Sequence, residues 1–121
     1  MTIVKLSGGG LLLHSPIEIT PDLRMQIDAL GPVRHVVCPN LFHHLHAGSA
    51  LEAWPQAQLH GPAALREKRK DLRFDAVFSE QPHPDWAQDL VPITIEGSML
   101  CETVLFHRVS KTLITVDLVE N

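Results

Sequence analysis

The order of short apolar segments constrains the fold of this chain more than any other feature of the sequence, because Pro and Gly signals bound each segment. Two apolar runs joined by a glycine-rich turn at residues 7–10 predict a β-hairpin near the start. Thr20 then supplies a helix N-cap, Pro21 suits the first helical position, and Gly31 ends the helix. The first half of the chain is therefore predicted to alternate strands with helices.

Three strand-like runs follow near the end of the chain, without a helix of comparable length between them. This order predicts an α/β (α+β layered) domain, with helices on one face of a mixed β-sheet. No linker or repeat interrupts the 121 residues, so we expect one domain over residues 1–121. After the hairpin, the predicted strands are at residues 33–38, 57–60, 74–78, 91–95, 103–106 and 112–116, and the predicted helices are at 20–30, 49–54 and 62–68.

Charge and hydropathy argue against two classes of partner. Ten Lys and Arg residues against fourteen Asp and Glu residues give a net charge of -4, whereas proteins that bind the phosphate backbone concentrate positive charge. No apolar run approaches the roughly 20 residues that a membrane-spanning helix needs. The first ten residues also lack the basic start and apolar middle of a signal peptide. We expect a cytoplasmic protein that binds neither nucleic acid nor membrane.

Eight histidines stand out in the composition, and three of them, His43, His44 and His46, lie within four residues. They follow a predicted buried strand, and loops at the carboxyl ends of such strands are where α/β folds bind ligands. Neutral imidazoles suit zinc or iron, so these residues are candidate metal ligands. The spacing does not decide which two histidines would bind a metal together. His44 and His46 lie on the same side of an extended segment, whereas His43 and His46 lie on the same side of a helical turn. The competing interpretation is that one histidine caps the next helix and the others are exposed.

Asp117 is the candidate further ligand, because a carboxylate that ends the last apolar strand emerges at a sheet edge. A simple strand-terminating acid is an equally good interpretation. His14 ends a predicted strand and is interpreted as structural. His35, His60 and His83 follow no spacing pattern, so we expect surface or structural roles for them. The sequence contains no nucleophile elbow, P-loop or dinucleotide-binding motif.

Three segments, taken together, carry a resemblance to a known family. They are LLLHSP at residues 11–16, PNLFHHLHAG at 39–48 and SKTLITVD at 110–117. In this order they resemble the metallo-β-lactamase-like superfamily, and more narrowly an uncharacterised family of unknown function within it. The resemblance implies an αββα sandwich with a one- or two-metal site, of which this chain corresponds to the N-terminal half.

The resemblance also implies roles for individual residues. It places metal ligands at His43 and His46 and a metal-bridging aspartate at Asp117, but Leu41 and Leu45 stand where the superfamily motif has a histidine and an aspartate. Because half of that motif is missing, we expect a degenerate metal site with little or no hydrolase activity, holding zinc or iron weakly or no metal. The alternative is a metal-dependent hydrolase in which a metal-activated water attacks an ester, amide or phosphodiester.

The half-sandwich that the resemblance implies leads to an expectation about the oligomeric state of the protein. One half alone leaves an apolar sheet face uncovered, and such faces mark interfaces. Either two copies cover that face or the chain is a fragment of a longer protein. We expect a homo-oligomer, in the simplest case a twofold-symmetric dimer.

Overall fold

The computed structural model describes residues 1–78, 81–97 and 99–119. Over these residues the chain forms eight strands and three helices. None of the helices within these ranges is long and apolar enough to cross a membrane. The strands are β1 (Thr2–Lys5), β2 (Leu11–His14), β3 (Val33–Val37), β4 (Gln58–Gly61), β5 (Ala76–Val77), β6 (Leu90–Thr94), β7 (Thr103–His107) and β8 (Thr112–Ile114). The helices are α1 (Pro21–Asp28), α2 (Ala47–Ala53) and α3 (Ala63–Lys68).

In the described part of the chain, the strands form two sheets instead of one. The first sheet has the order β1-β2-β3-β4-β5, in which β1 is antiparallel to β2 and the other neighbours are parallel. The second sheet has the order β6-β7-β8 and is antiparallel. The mixed α/β composition is as predicted, but the prediction of a single sheet is wrong for the last three strands. Short connections let these strands pair with one another as a separate layer.

The first sheet is buried on both faces. Leu11 and Leu13 pack on the side of the helices, whereas Leu12 packs against the second sheet, because successive residues of a strand point to opposite faces. The helical side also buries Ile27 of α1 and Leu65 of α3. The cluster between the two sheets consists of Val4, Leu6, Leu12, Val37, Trp86, Leu90, Leu105 and Ile114.

This packing removes the uncovered sheet face on which the sequence-based expectation of a dimer rested. The face of the first sheet that was expected to be uncovered is covered by β6, β7 and β8 of the same chain, so no second copy is needed to bury it. Alternation within each strand does not reveal which strands will pair, and the separate sheet could not be predicted for that reason. Self-association itself stays a prediction.

The carboxyl ends of β2 and β3 lie side by side and position the polar residues described next. His14 is in register with Val37, and the N–H of Ser15 donates to the Val37 carbonyl at 2.9 Å. The N–H of Thr103 donates to the Pro39 carbonyl at 2.9 Å, which ties the second sheet to the same edge. Loops from three distant parts of the chain therefore meet at this edge of the fold.

Candidate functional site

Four polar side chains converge at the carboxyl ends of β2 and β3, and we call Ser15, Asn40, His43 and Asp117 the rim. The Ser15 Oγ lies 2.8 Å from Nδ1 of His43, and Oδ1 of Asp117 lies 3.2 Å from Nε2 of the same ring. An ionised carboxylate only accepts hydrogen bonds, so Nε2 carries the proton that faces Asp117. Nδ1 then accepts the Ser15 hydroxyl proton. The rim thus forms a chain of hydrogen bonds in which the Ser15 hydroxyl donates to the His43 ring and the His43 ring donates to the Asp117 carboxylate.

Asn40 holds the rim together from inside. Its side-chain Nδ2 donates to Oδ2 of Asp117 at 2.7 Å, and its Oδ1 accepts the backbone N–H groups of Phe42 and His43, both at 2.9 Å. The residue is fully buried. Asn side chains commonly form such turns with the backbone just after a strand. The Pro39-Asn40 pair in the sequence therefore predicts the turn, but it does not predict the contact of Asn40 with Asp117.

Glu102 fixes the backbone that carries Asp117. Its buried carboxylate accepts the N–H of Val116 at 2.9 Å and the N–H of Asp117 at 3.0 Å. Strand β8 ends at Ile114, so Asp117 belongs to the turn that follows the strand. No pattern in the sequence indicates this supporting role, because Glu102 precedes β7 and Asp117 follows β8, 15 residues further along the chain.

The backbone of Ser15 has an uncommon conformation. Its φ angle is 54°, in the left-handed region that residues other than glycine adopt rarely. The serine is 8% exposed, while the side chains of His43 and Asp117 are 37% and 27% exposed. The His43 ring is therefore the part of the rim that is most accessible to solvent and small solutes. Strained backbone at the end of a strand is often found at functional sites.

His14 lies directly before Ser15 and is buried. Burial, the N-terminal ammonium and His43 together lower the pKa of its imidazole to about 4. Its Nε2 finds no hydrogen-bond partner among the described residues. The His14 ring is therefore neutral at neutral pH.

The structure places the other two predicted ligands apart from the rim contacts. His44 is buried and its Nδ1 accepts from the Arg69 guanidinium at 2.8 Å. Burial and the charges of Arg69 and Lys68 lower the pKa of His44. His46 is exposed and is the N-cap residue of α2, although its side chain makes no capping hydrogen bond. Of the four predicted metal ligands, His43 and Asp117 are the two that contact each other.

A second cluster was not predicted from the sequence. His35 of β3, His60 of β4 and the loop residues His83 and Asp85 meet on the face of the first sheet opposite the helices. His35, His83 and Asp85 each have one possible ligand atom that lies within 4.8 Å of those of the other two residues. These residues come from separate segments, so no spacing along the chain could have linked them.

Comparison with known families identifies one match. A family model described as a domain of unknown function, DUF4336, matches residues 1–64 of the 121. No curated protein matches the chain. The resemblance to the metallo-β-lactamase-like superfamily is therefore wrong, since the family found is DUF4336 and no metallo-β-lactamase family matches. Leu41 and Leu45, which occupy two ligand positions of that superfamily's motif, already departed from it.

Proposed function

This chain belongs to the DUF4336 family, whose function is unknown, and from the geometry of its rim we propose that it hydrolyses an ester or amide. The observation that carries the proposal is the position of His43 between the Ser15 hydroxyl and the Asp117 carboxylate. A hydroxyl is activated as a nucleophile when a base accepts its proton and a third group orients that base. The rim contains these three groups in that order.

The reaction starts with attack of Ser15 Oγ on the carbonyl carbon of the substrate. The hydroxyl proton passes to Nδ1 of His43, and Asp117 stabilises the imidazolium that forms. The bond from the carbonyl carbon to the alcohol or amine then breaks, and the leaving group takes the proton from His43. Water repeats the sequence on the ester formed at Ser15, which releases the acid and restores the hydroxyl.

The surroundings of the rim support this assignment. Ser15 directly follows β2 with a left-handed backbone, and a strained turn after a strand presents the nucleophile in other hydrolase folds. Asn40 and Glu102 fix Asp117 through the contacts described above, so the carboxylate is held ready to orient His43. The expectation of little turnover rested on ligands missing from the metallo-β-lactamase pattern, and that reason no longer applies.

The test measures hydrolysis of a panel of activated esters and amides together with covalent labelling by a fluorophosphonate. We expect Ser15→Ala to abolish labelling and turnover, and Asp117→Asn to lower kcat by a factor on the order of 10²–10⁴. Ser49→Ala removes a hydroxyl on α2 outside the rim and serves as the matched control. Turnover that survives Ser15→Ala, or labelling at another residue, would show that Ser15 is not the nucleophile.

A metal held by His43 and Asp117 is the second candidate. Two ligands on one tetrahedral zinc, with bonds of about 2.0–2.1 Å, lie about 3.3 Å apart. The 3.2 Å between Nε2 of His43 and Oδ1 of Asp117 fits that separation. With two protein ligands, the affinity for zinc or iron should be weak. Turnover that a chelator removes and zinc restores, with Ser15→Ala still active, supports this candidate over the serine nucleophile.

A further inference from the structure

We propose that His35, His83 and Asp85 bind a divalent transition metal of the zinc class, at a site separate from the rim. Oδ2 of Asp85 lies 3.2 Å from Nε2 of His35 and 3.9 Å from Nδ1 of His83. Ligands on one tetrahedral zinc are about 3.3 Å apart, so small movements of the exposed Asp85 side chain suffice to bring all three onto one ion. Two imidazoles and a carboxylate are a common catalytic zinc ligand set.

The His35 side chain gives independent support for a ligand. It is 1% exposed, and its Nε2 faces the Asp85 carboxylate, whose Oδ2 lies 3.2 Å away without a well-aligned hydrogen bond. A buried polar atom left without a partner destabilises the fold. A metal bound to the Nε2 lone pair would remove this cost, and the lone pair faces the other two proposed ligands.

His60 can hold His35 in the tautomer that the site requires. Nδ1 of His35 lies 2.9 Å from Nε2 of His60, and both side chains are buried. When His35 donates its Nδ1–H across this contact, Nε2 is the unprotonated nitrogen. Histidines that bind metals usually donate their other ring N–H to a neighbouring acceptor in this way. His60 is thus a positioning residue, and His35 is the ligand.

Trp86 holds the His83 ring in position, and a cleft leaves the site accessible. The Trp86 ring stacks on His83 with centroids 6.2 Å apart and an interplanar angle of 25°. Asp85 and His35 also line a cleft of about 380 Å³, whose other walls include Arg34 and the glycine turn 8–10. Three protein ligands leave a fourth position, which water or an anionic group entering this cleft can occupy.

The experiment uses the whole chain without a histidine tag, stripped of metal by a chelator. Zn²⁺ is titrated in competition with a chromophoric chelator, and Co²⁺ is titrated while its visible absorption and Trp86 fluorescence are recorded. We expect one Zn²⁺ at this cluster, with an affinity that falls about tenfold or more in Asp85→Asn and in His83→Gln, whereas neither substitution should change weaker binding of Zn²⁺ at the rim. Both substitutions are at side chains with solvent exposure, 55% and 25%, so the variants should fold.

Two control variants show whether the ion binds at this cluster. Asp22→Asn removes an exposed carboxylate on α1 and should leave Zn²⁺ affinity unchanged. His43→Gln alters the rim and should also leave this affinity unchanged, so the result does not depend on the proposed hydrolase. Absence of Zn²⁺ binding, binding that both Asp85→Asn and His83→Gln leave intact, or loss of this binding in His43→Gln would overturn the proposal.

Discussion

At the scale of single residues, two buried histidines have strongly lowered pKa values. His14 and His60 are 1% and 2% exposed, and the pKa of each ring is lowered, to about 4 and about 3 respectively. Burial is the largest cause in both cases. Such rings are stable in the folded chain only while they carry no proton, so these residues couple the stability of the domain to pH.

We predict that the domain loses stability as the pH falls below about 6.5. The unfolded chain binds protons at the ordinary histidine pKa of 6.5, whereas folded His14 stays neutral until the pH approaches 4. Acidification therefore favours the unfolded state between these two values. From pH 7.5 to pH 5, His14 alone should lower the free energy of unfolding by about 2 kcal/mol.

Urea unfolding at several pH values measures this effect. His14→Gln should show a shallower dependence of unfolding free energy on pH than the unsubstituted chain, because one of the buried rings is gone. His46→Gln, at an exposed position, serves as the control and should keep the original slope. An identical slope in His14→Gln would contradict the prediction.

At the scale of elements, β4 comes close to the helical layer at Gly61. A Cβ built at Gly61 would lie 2.7 Å from the Phe74 ring and 3.4 Å from a Leu65 methyl group. Phe74 and Leu65 are both buried, so neither can move away without disturbing the core. The end of β4, which also carries His60, therefore depends on the absence of a side chain at this position.

We predict that Gly61→Ala lowers the free energy of unfolding by about 1–3 kcal/mol, the usual range for an overpacked core. Gly8→Ala is the matched control, because a Cβ there meets no atom within 4 Å. Chemical denaturation of the two variants gives the comparison directly. Equal stability of Gly61→Ala and Gly8→Ala would show that Phe74 yields without cost.

At the scale of the whole molecule, the second sheet covers the first and presents its own outer face to solvent. Leu105 and Ile114 point inward, so the neighbouring residues Phe106 and Leu113 point outward, and the strand register aligns them with Val91. Leu113 is 49% exposed, and Ile93, also on β6, is 44% exposed. The outer face of the molecule is therefore apolar at this sheet.

We predict a dimer or a higher even oligomer in light scattering, with this outer face at the contact. Leu113→Glu should shift the chain towards the monomer, because it places a charge in the contact. Met25→Glu makes a similar change at an exposed position on α1 and should leave the oligomeric state unaltered. A well-folded monomer at high micromolar concentration would refute the prediction.

Most of the local structure could be predicted from the order of the amino acids. Thr20 caps α1 through its side chain as the sequence predicts, and the glycine turn closes the first hairpin with a φ of 89° at Gly9. These features depend on neighbouring residues, whose chemistry can be read directly from their order. His43 does contact Asp117, but His43 follows β3 of the first sheet and Asp117 follows β8 of the second, so the rule that strand ends of one sheet meet at one edge does not account for this contact.

Packing between distant segments set the remaining features. Ser15 joins His43 because β2 and β3 are parallel neighbours, and His35 meets His60 and His83 because three distant segments pack on one sheet face. The separation of β6 to β8 into a second sheet likewise depends on which strands pair. Periodicity fixes the direction of a side chain relative to its own strand, but the partner across a sheet or between layers is set by contacts between segments far apart in sequence.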